Sequence, residues 1–83
     1  MIVRLMGEGQ YRVDDGLQAT LGDLDDEAVA ALGRNDEAEL DRRLDEMWEL
    51  VRSRGTRLPD DELVTSDVVI PPSDLTLEET REL

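Results

Sequence analysis

Eighty-three residues carry 22 acids against nine arginines, with no lysine, histidine or cysteine, for a net charge of −13. That balance excludes the basic surface that nucleic acid or an anionic membrane requires. It also excludes a disulfide framework, the usual zinc sites and the Ser-His or Cys-His nucleophile pairs.

Tyr11 and Trp48 are the only aromatics, so aliphatic side chains must build the core. A chain of this size buries only about 60–65% of its unfolded surface, which leaves one thin core and no deep substrate cavity. The N-terminal "MIVRLMGEG" lacks a basic region followed by an apolar run of signal-peptide length. No run approaches the roughly 18 apolar residues of a membrane span, so the expected location is cytoplasmic.

Residues 1–13 predict a β-hairpin. A three-residue loop of Gly7, Glu8 and Gly9 sets Leu5 opposite Tyr11 and Val3 opposite Val13 on one side. Arg4 and Arg12 then fall on the other side, directly opposite one another, with Gln10 near them. Like charges so placed are mildly destabilising, and an anionic neighbour would relieve them. An internal carboxylate and an acidic partner surface both fit that role, so Arg4 and Arg12 are candidate partner-binding residues. The G-E-G string has the first two glycines of a dinucleotide fingerprint. Arg12 stands where the third should be, and the chain continues as a strand, so the string reads as a turn.

A helix is expected over about 15–32. Leu17, Leu21, Leu24, Ala28 and Leu32 form its apolar stripe, Asp14 or Asp15 caps it, and Gly33 fits its end. Gly22 inside it costs roughly 1 kcal/mol relative to Ala, which allows a bend or a late start. The strongest helical pattern spans 36–54. Asn35 or Asp36 caps it, and Asp36 with Glu39 has capping-box spacing. Leu40, Leu44, Met47 and Val51 line one face, acids crowd the first turn, and Arg52 and Arg54 sit in the last, which complements the helix dipole. Glu39 and Arg43 form a supporting i,i+4 pair. The short link between the two patterns predicts an antiparallel helix hairpin.

Residues 56–72 are polar and turn-rich, apart from the β-prone Val68, Val69 and Ile70 before two prolines. These three suit either a third strand beside the hairpin or an exposed docking edge. Thr76 and Glu79 have the spacing of a capping box, which predicts a short C-terminal helix from residue 76. The fold class is therefore α+β. A hairpin, with room for a third short strand at 68–70, packs on an antiparallel helix pair.

Carboxylates supply the remaining chemistry. "DLDDE" (23–27) and "DDE" (60–62) lack the EF-hand layout and read as solvated acidic faces, so neither metal nor cofactor is expected. Acid–base catalysis would need a cleft that raises one carboxyl pKa, and nothing marks such a cleft. Trp48 lies beside the apolar stripe rather than within it, which fits both packing against the hairpin and a role as interface anchor.

The strings "MIVRLMGEGQYRV", the G-R-N-D-E-A helix junction and "GTRLPDDELVTSDVVIPPSDLTLEE", in this order, resemble the PspA-associated protein family (PspAA) over essentially the whole chain. The resemblance implies a role beside PspA, the phage-shock protein that acts at stressed membranes. Members are small cytoplasmic proteins with no established enzymatic activity and no defined active-site residues. The expectation is a non-catalytic accessory or regulatory protein that binds PspA in the envelope stress response, recruited to the inner face of the membrane through that partner. The alternative from charge alone is an acidic mimic of nucleic acid that blocks a DNA-binding protein.

Overall fold

Strand β1 (Ile2–Leu5) turns back into β2 (Gly9–Arg12) in the computed structural model, which describes residues 1–59, 61–62, 64–74, 78–79 and 82. The turn closes one residue earlier than expected. The Glu8 N–H donates to the Leu5 carbonyl at 2.9 Å, and the loop is Met6-Gly7-Glu8. Gly7 has φ 87° and Gly9 φ 154°, backbone that side chains rarely adopt, so both glycines serve the turn. Val3 consequently pairs with Tyr11, and Leu5 with Gly9. This register differs by two residues from the expected one. A shift of two keeps every side chain on its face, so Val3, Leu5, Tyr11 and Val13 are all buried as the pattern requires. It does separate the arginines. Arg4 faces Gln10 and Arg12 faces Ile2, so the expected direct opposition of like charges does not occur.

Helix α1 (Asp15–Gly33) follows, with the Asp14 carboxylate accepting from the Leu17 N–H at 2.7 Å as N-cap. It runs unbroken through Gly22. Its end uses Asn35 rather than Gly33 as the left-handed residue, with φ 60°. The Asp36 N–H reaches the Ala31 carbonyl at 2.9 Å and the Asn35 N–H the Leu32 carbonyl at 3.2 Å, the paired bonds of a Schellman termination. Asp36 then caps α2 (Glu37–Arg54) by accepting from the Glu39 N–H at 3.2 Å. One residue thus ends one helix and starts the next, which forces the antiparallel hairpin.

Leu40, Leu44, Met47 and Val51 of α2 are buried, as are Leu17, Leu21, Ala28 and Ala31 of α1. Leu24 and Leu32 pack against this core half-buried. Arg43 joins the helices on their outer side. Its Nε lies 2.8 Å from both Glu27 of α1 and Glu39, and Nη1 lies 3.1 Å from Glu46.

Gly55 ends α2 by close approach. A Cβ there would sit 2.6 Å from the Val51 carbonyl oxygen and 3.4 Å from the Arg12 carbonyl oxygen. The chain can therefore press at once against β2 as strand β3 (Thr56–Arg57), a pairing the sequence did not announce. Strand β4 (Val68–Ile70) is the added strand, and it runs parallel to β1, giving the order β3-β2-β1-β4. The chain leaving β3 must cross from one edge of the sheet to the other to enter β4. The Gln10 side chain, on the face away from the helices, ties this crossing by donating to the Val64 carbonyl at 2.8 Å and to Ser66 Oγ at 2.7 Å. The Asp67 carboxylate accepts from the Ile2 N–H at 2.8 Å and fixes the entry into β4. Of the expected C-terminal helix, Glu78 and Glu79 are helical, while Thr76 lies outside the described residues.

Candidate functional site

Trp48 sits half-buried on α2, where its indole N–H donates to the Pro71 carbonyl at 2.9 Å. The Arg52 guanidinium lies 5.0 Å above the ring. Arg52 in turn donates from Nε to both oxygens of Glu8, at 2.9 and 3.1 Å, and this bond raises its pKa above an already high value. Glu8, Arg52, Trp48 and Pro71 therefore form a chain that ties the hairpin loop, α2 and the end of β4. The arrangement positions β4, and the Trp48 ring edge is committed to it. The G-E-G loop takes part through the Glu8 side chain, and its backbone carbonyl accepts from Arg57 Nη2 at 3.2 Å.

Alternation and pairing put Ile70 and Val68 on the helix-facing side of β4 beside Leu5 and Val3, and Val69 on the other side beside Arg4. Ile70 is 1% exposed and belongs to the core, whereas Val68 is 37% and Val69 51% exposed. Arg4 and Arg12 lie exposed on the sheet face away from the helices. Arg4 borders a shallow polar cavity of about 310 Å³ under the crossing segment, shared with Glu8 and Glu62. Carboxylates of the chain itself are thus its neighbours. The structure does not bring the six candidates together. Val69 pairs with Arg4 and shares with it and Arg12 the sheet face away from the helices, whereas Val68 and Ile70 turn toward the core and Trp48 lies on α2.

A second, apolar depression lies where those β4 valines meet the helices. It encloses about 460 Å³ between Met6, Val69 and Pro71 on one bank and Ala28, Val29 and Leu32 on the other, over Leu40 and Leu44. A neighbouring depression of about 280 Å³ continues along α1 past Leu21 to Val68. Asp25 borders both. Sequence reasoning missed Met6, Asp25 and Val29. The available signal was Val29 itself, a large apolar residue off the main stripe of α1 and 61% exposed.

Electrostatics around this groove are one-sided. Helix α1 carries five acids and no base. On α2, Glu37, Asp41, Leu44 and Trp48 fall at i, i+4, i+7 and i+11, so two carboxylates share the face of a groove-floor residue. Asp41 has its carboxyl pKa raised, first by desolvation and then by Glu37 and Asp45. Its Oδ1 is shielded from solvent and has no hydrogen-bond partner among the described residues. Among those residues, no three potential ligands converge as a metal site, and no helix is long and apolar enough to cross a membrane.

A family profile described as PspA-Associated protein (PspAA) matches residues 1–83, the whole chain. No curated protein and no solved structure matches it. The strings that carry the resemblance are accounted for physically. The Gln10 of "GEGQY" bonds the Val64 and Ser66 of "LVTSD", and Glu8 reaches the arginine that covers Trp48, whose indole bonds "VVIPP" at Pro71.

Proposed function

From membership of the PspA-associated protein family, to which this chain belongs, we propose that the protein is a non-catalytic accessory factor that binds PspA directly in the envelope stress response. The family match over all 83 residues is the observation that carries this reading. The chemistry of the chain supports it. With neither His nor Cys, and with Glu8, Glu27, Arg43 and Arg52 engaged in joining elements, the molecule offers surfaces rather than reactive groups. Recruitment to the inner face of the membrane then comes through the partner, because a charge of −13 is repelled by anionic lipid.

The test is direct association with purified cognate PspA, on the order of tens of micromolar each, by size exclusion and by interferometry in low salt. Co-elution and a saturable signal are expected without DNA, lipid or nucleotide. Raising salt from about 50 to 500 mM shortens the Debye length from about 14 to about 4 Å, and association steered by the acidic surface should slow accordingly. Separate elution with no interferometry signal contradicts the proposal. Displacement by duplex DNA would instead favour the acidic mimic of nucleic acid.

A further inference from the structure

We infer that the groove between α1 and β4 is a docking site for a basic amphipathic helix of a partner protein. Three observations specify that occupant. The first is shape and polarity. Two depressions of about 460 and 280 Å³ adjoin along α1, lined mostly by apolar residues, with Val29 in one and Val68 in the other exposed at the surface. On α1, positions 18, 22, 25, 29 and 32 border this line at alternating spacings of four and three, the spacing that one helix presents to another.

The second is backbone. An edge strand invites strand addition, but β4 has three residues and runs into Pro71 and Pro72. The Met6 N–H bonds the Ile70 carbonyl, so Ile70 faces β1 and only Val69 turns its backbone groups to the open edge. One residue's N–H and C=O cannot hold an added strand, and Pro71 has no N–H to extend the ladder. An occupant must therefore bind through side chains, which is how a helix seats in a groove.

The third is charge. Asp25 stands at the junction of the two depressions, and Glu37 and Asp41 share the α2 face with Leu44 of the floor. Asp41 keeps a shielded oxygen without a donor among the described residues. Lysine or arginine flanking the apolar stripe of an incoming helix would meet these carboxylates. The same charges disfavour a second copy of this chain, since two molecules at −13 each would bring like-signed rims together.

This inference rests on the proposed association with PspA for its natural partner, but the groove can be read without it. An 18-residue Leu/Lys amphipathic helical peptide is titrated into isotope-labelled protein, with a Leu/Glu peptide of the same apolar pattern as control. The account expects saturable amide shifts confined to residues 25–32, 40–44 and 68–70 with the basic peptide, none with the acidic one, and loss of the shifts in V29E/V68E. Both positions are solvent-exposed, so that variant keeps its fold, which circular dichroism checks. In parallel, V29E/V68E should weaken binding to PspA at least tenfold, while R12E, on β2 and on the sheet face away from the helices, should leave it within twofold. Shifts spread over the whole acidic surface, or PspA binding that survives V29E/V68E, overturn the groove as the site. Groove shifts with the peptide but no binding of PspA by the wild type keep the site and refute PspA as partner.

Discussion

Helices α1 and α2 have 19 and 18 residues and both bury four side chains, yet they are held differently. Helix α2 packs on α1 and on strands β3 and β4, and its cations Arg43 and Arg52 are placed. Arg43 meets three carboxylates, and Arg52 lies between Glu8 and Trp48. Helix α1 packs chiefly on α2, carries only negative charge, and leaves its flank toward β4 open. Helix α2 therefore acts as the structural axis. Helix α1 is a wall with one face in the core and the adjoining face available. A chain of 83 residues has little apolar surface to spare, and the uncovered flank of α1 is where the proposed docking groove runs.

Truncating the axis should do the most damage. Leu44→Ala removes a buried side chain of α2 and is expected to cost about 2–5 kcal/mol by chemical denaturation. Val29→Glu on the exposed flank of α1 should stay within about 0.5 kcal/mol. Equal losses at the two positions would remove the distinction between axis and wall.

Next comes the cation that joins the helices. Arg43→Ala leaves Glu27, Glu39 and Glu46 facing one another and should destabilise by about 1 kcal/mol, less at high salt, since the site is partly exposed. A loss that is insensitive to salt would assign Arg43 a packing role instead.

Gly22→Ala should stabilise by about 0.5–1 kcal/mol, because the helix is continuous there and a Cβ meets nothing within 4 Å. A lower melting temperature would place Gly22 in a tighter environment than an open flank.

The smallest effect is at Asp41, and its sign is informative. Burial and the neighbouring Glu37 and Asp45 raise its folded pKa, so its protonated form favours folding and its charged form opposes it. Stability contributed by this group is present at low pH and lost as pH rises through the folded pKa. Asp41→Asn should therefore stabilise at pH 7, with the gain vanishing once the carboxyl is protonated in both states. Destabilisation at pH 7 would mean that Asp41 already has a cationic partner in the free protein.

Much of this architecture was legible because periodicity is a local property. The stripes Leu17–Leu21–Ala28 and Leu40–Leu44–Met47–Val51 marked the buried helix faces, and the polarity of Asp14 and Asp36 marked the caps. The hairpin register was not readable to better than two residues, since a slip of two leaves every apolar residue on its face. Asn35 took the left-handed position that glycine at 33 suggested, because the Schellman bonds needed it two residues further on. Strand β3 was invisible in a two-residue polar pair whose partner lies 46 residues earlier in the case of Tyr11 and Arg57. The groove was hidden for the same reason. Val29 and Val69 are far apart in the chain, and only the separation of α1 from β4 brings them to one opening. Trp48 carried a signal that suited both anchor and packing, and its bond to Pro71 shows how it holds the bank of the groove.

Hydrogen exchange on this protein, free and with cognate PspA present, tests partner and surface together. The account predicts slowed exchange along α1 from Asp25 to Leu32 and at Val68–Ile70, with β2 and β3 unchanged. No protection anywhere, or protection confined to β2 and β3, would contradict it.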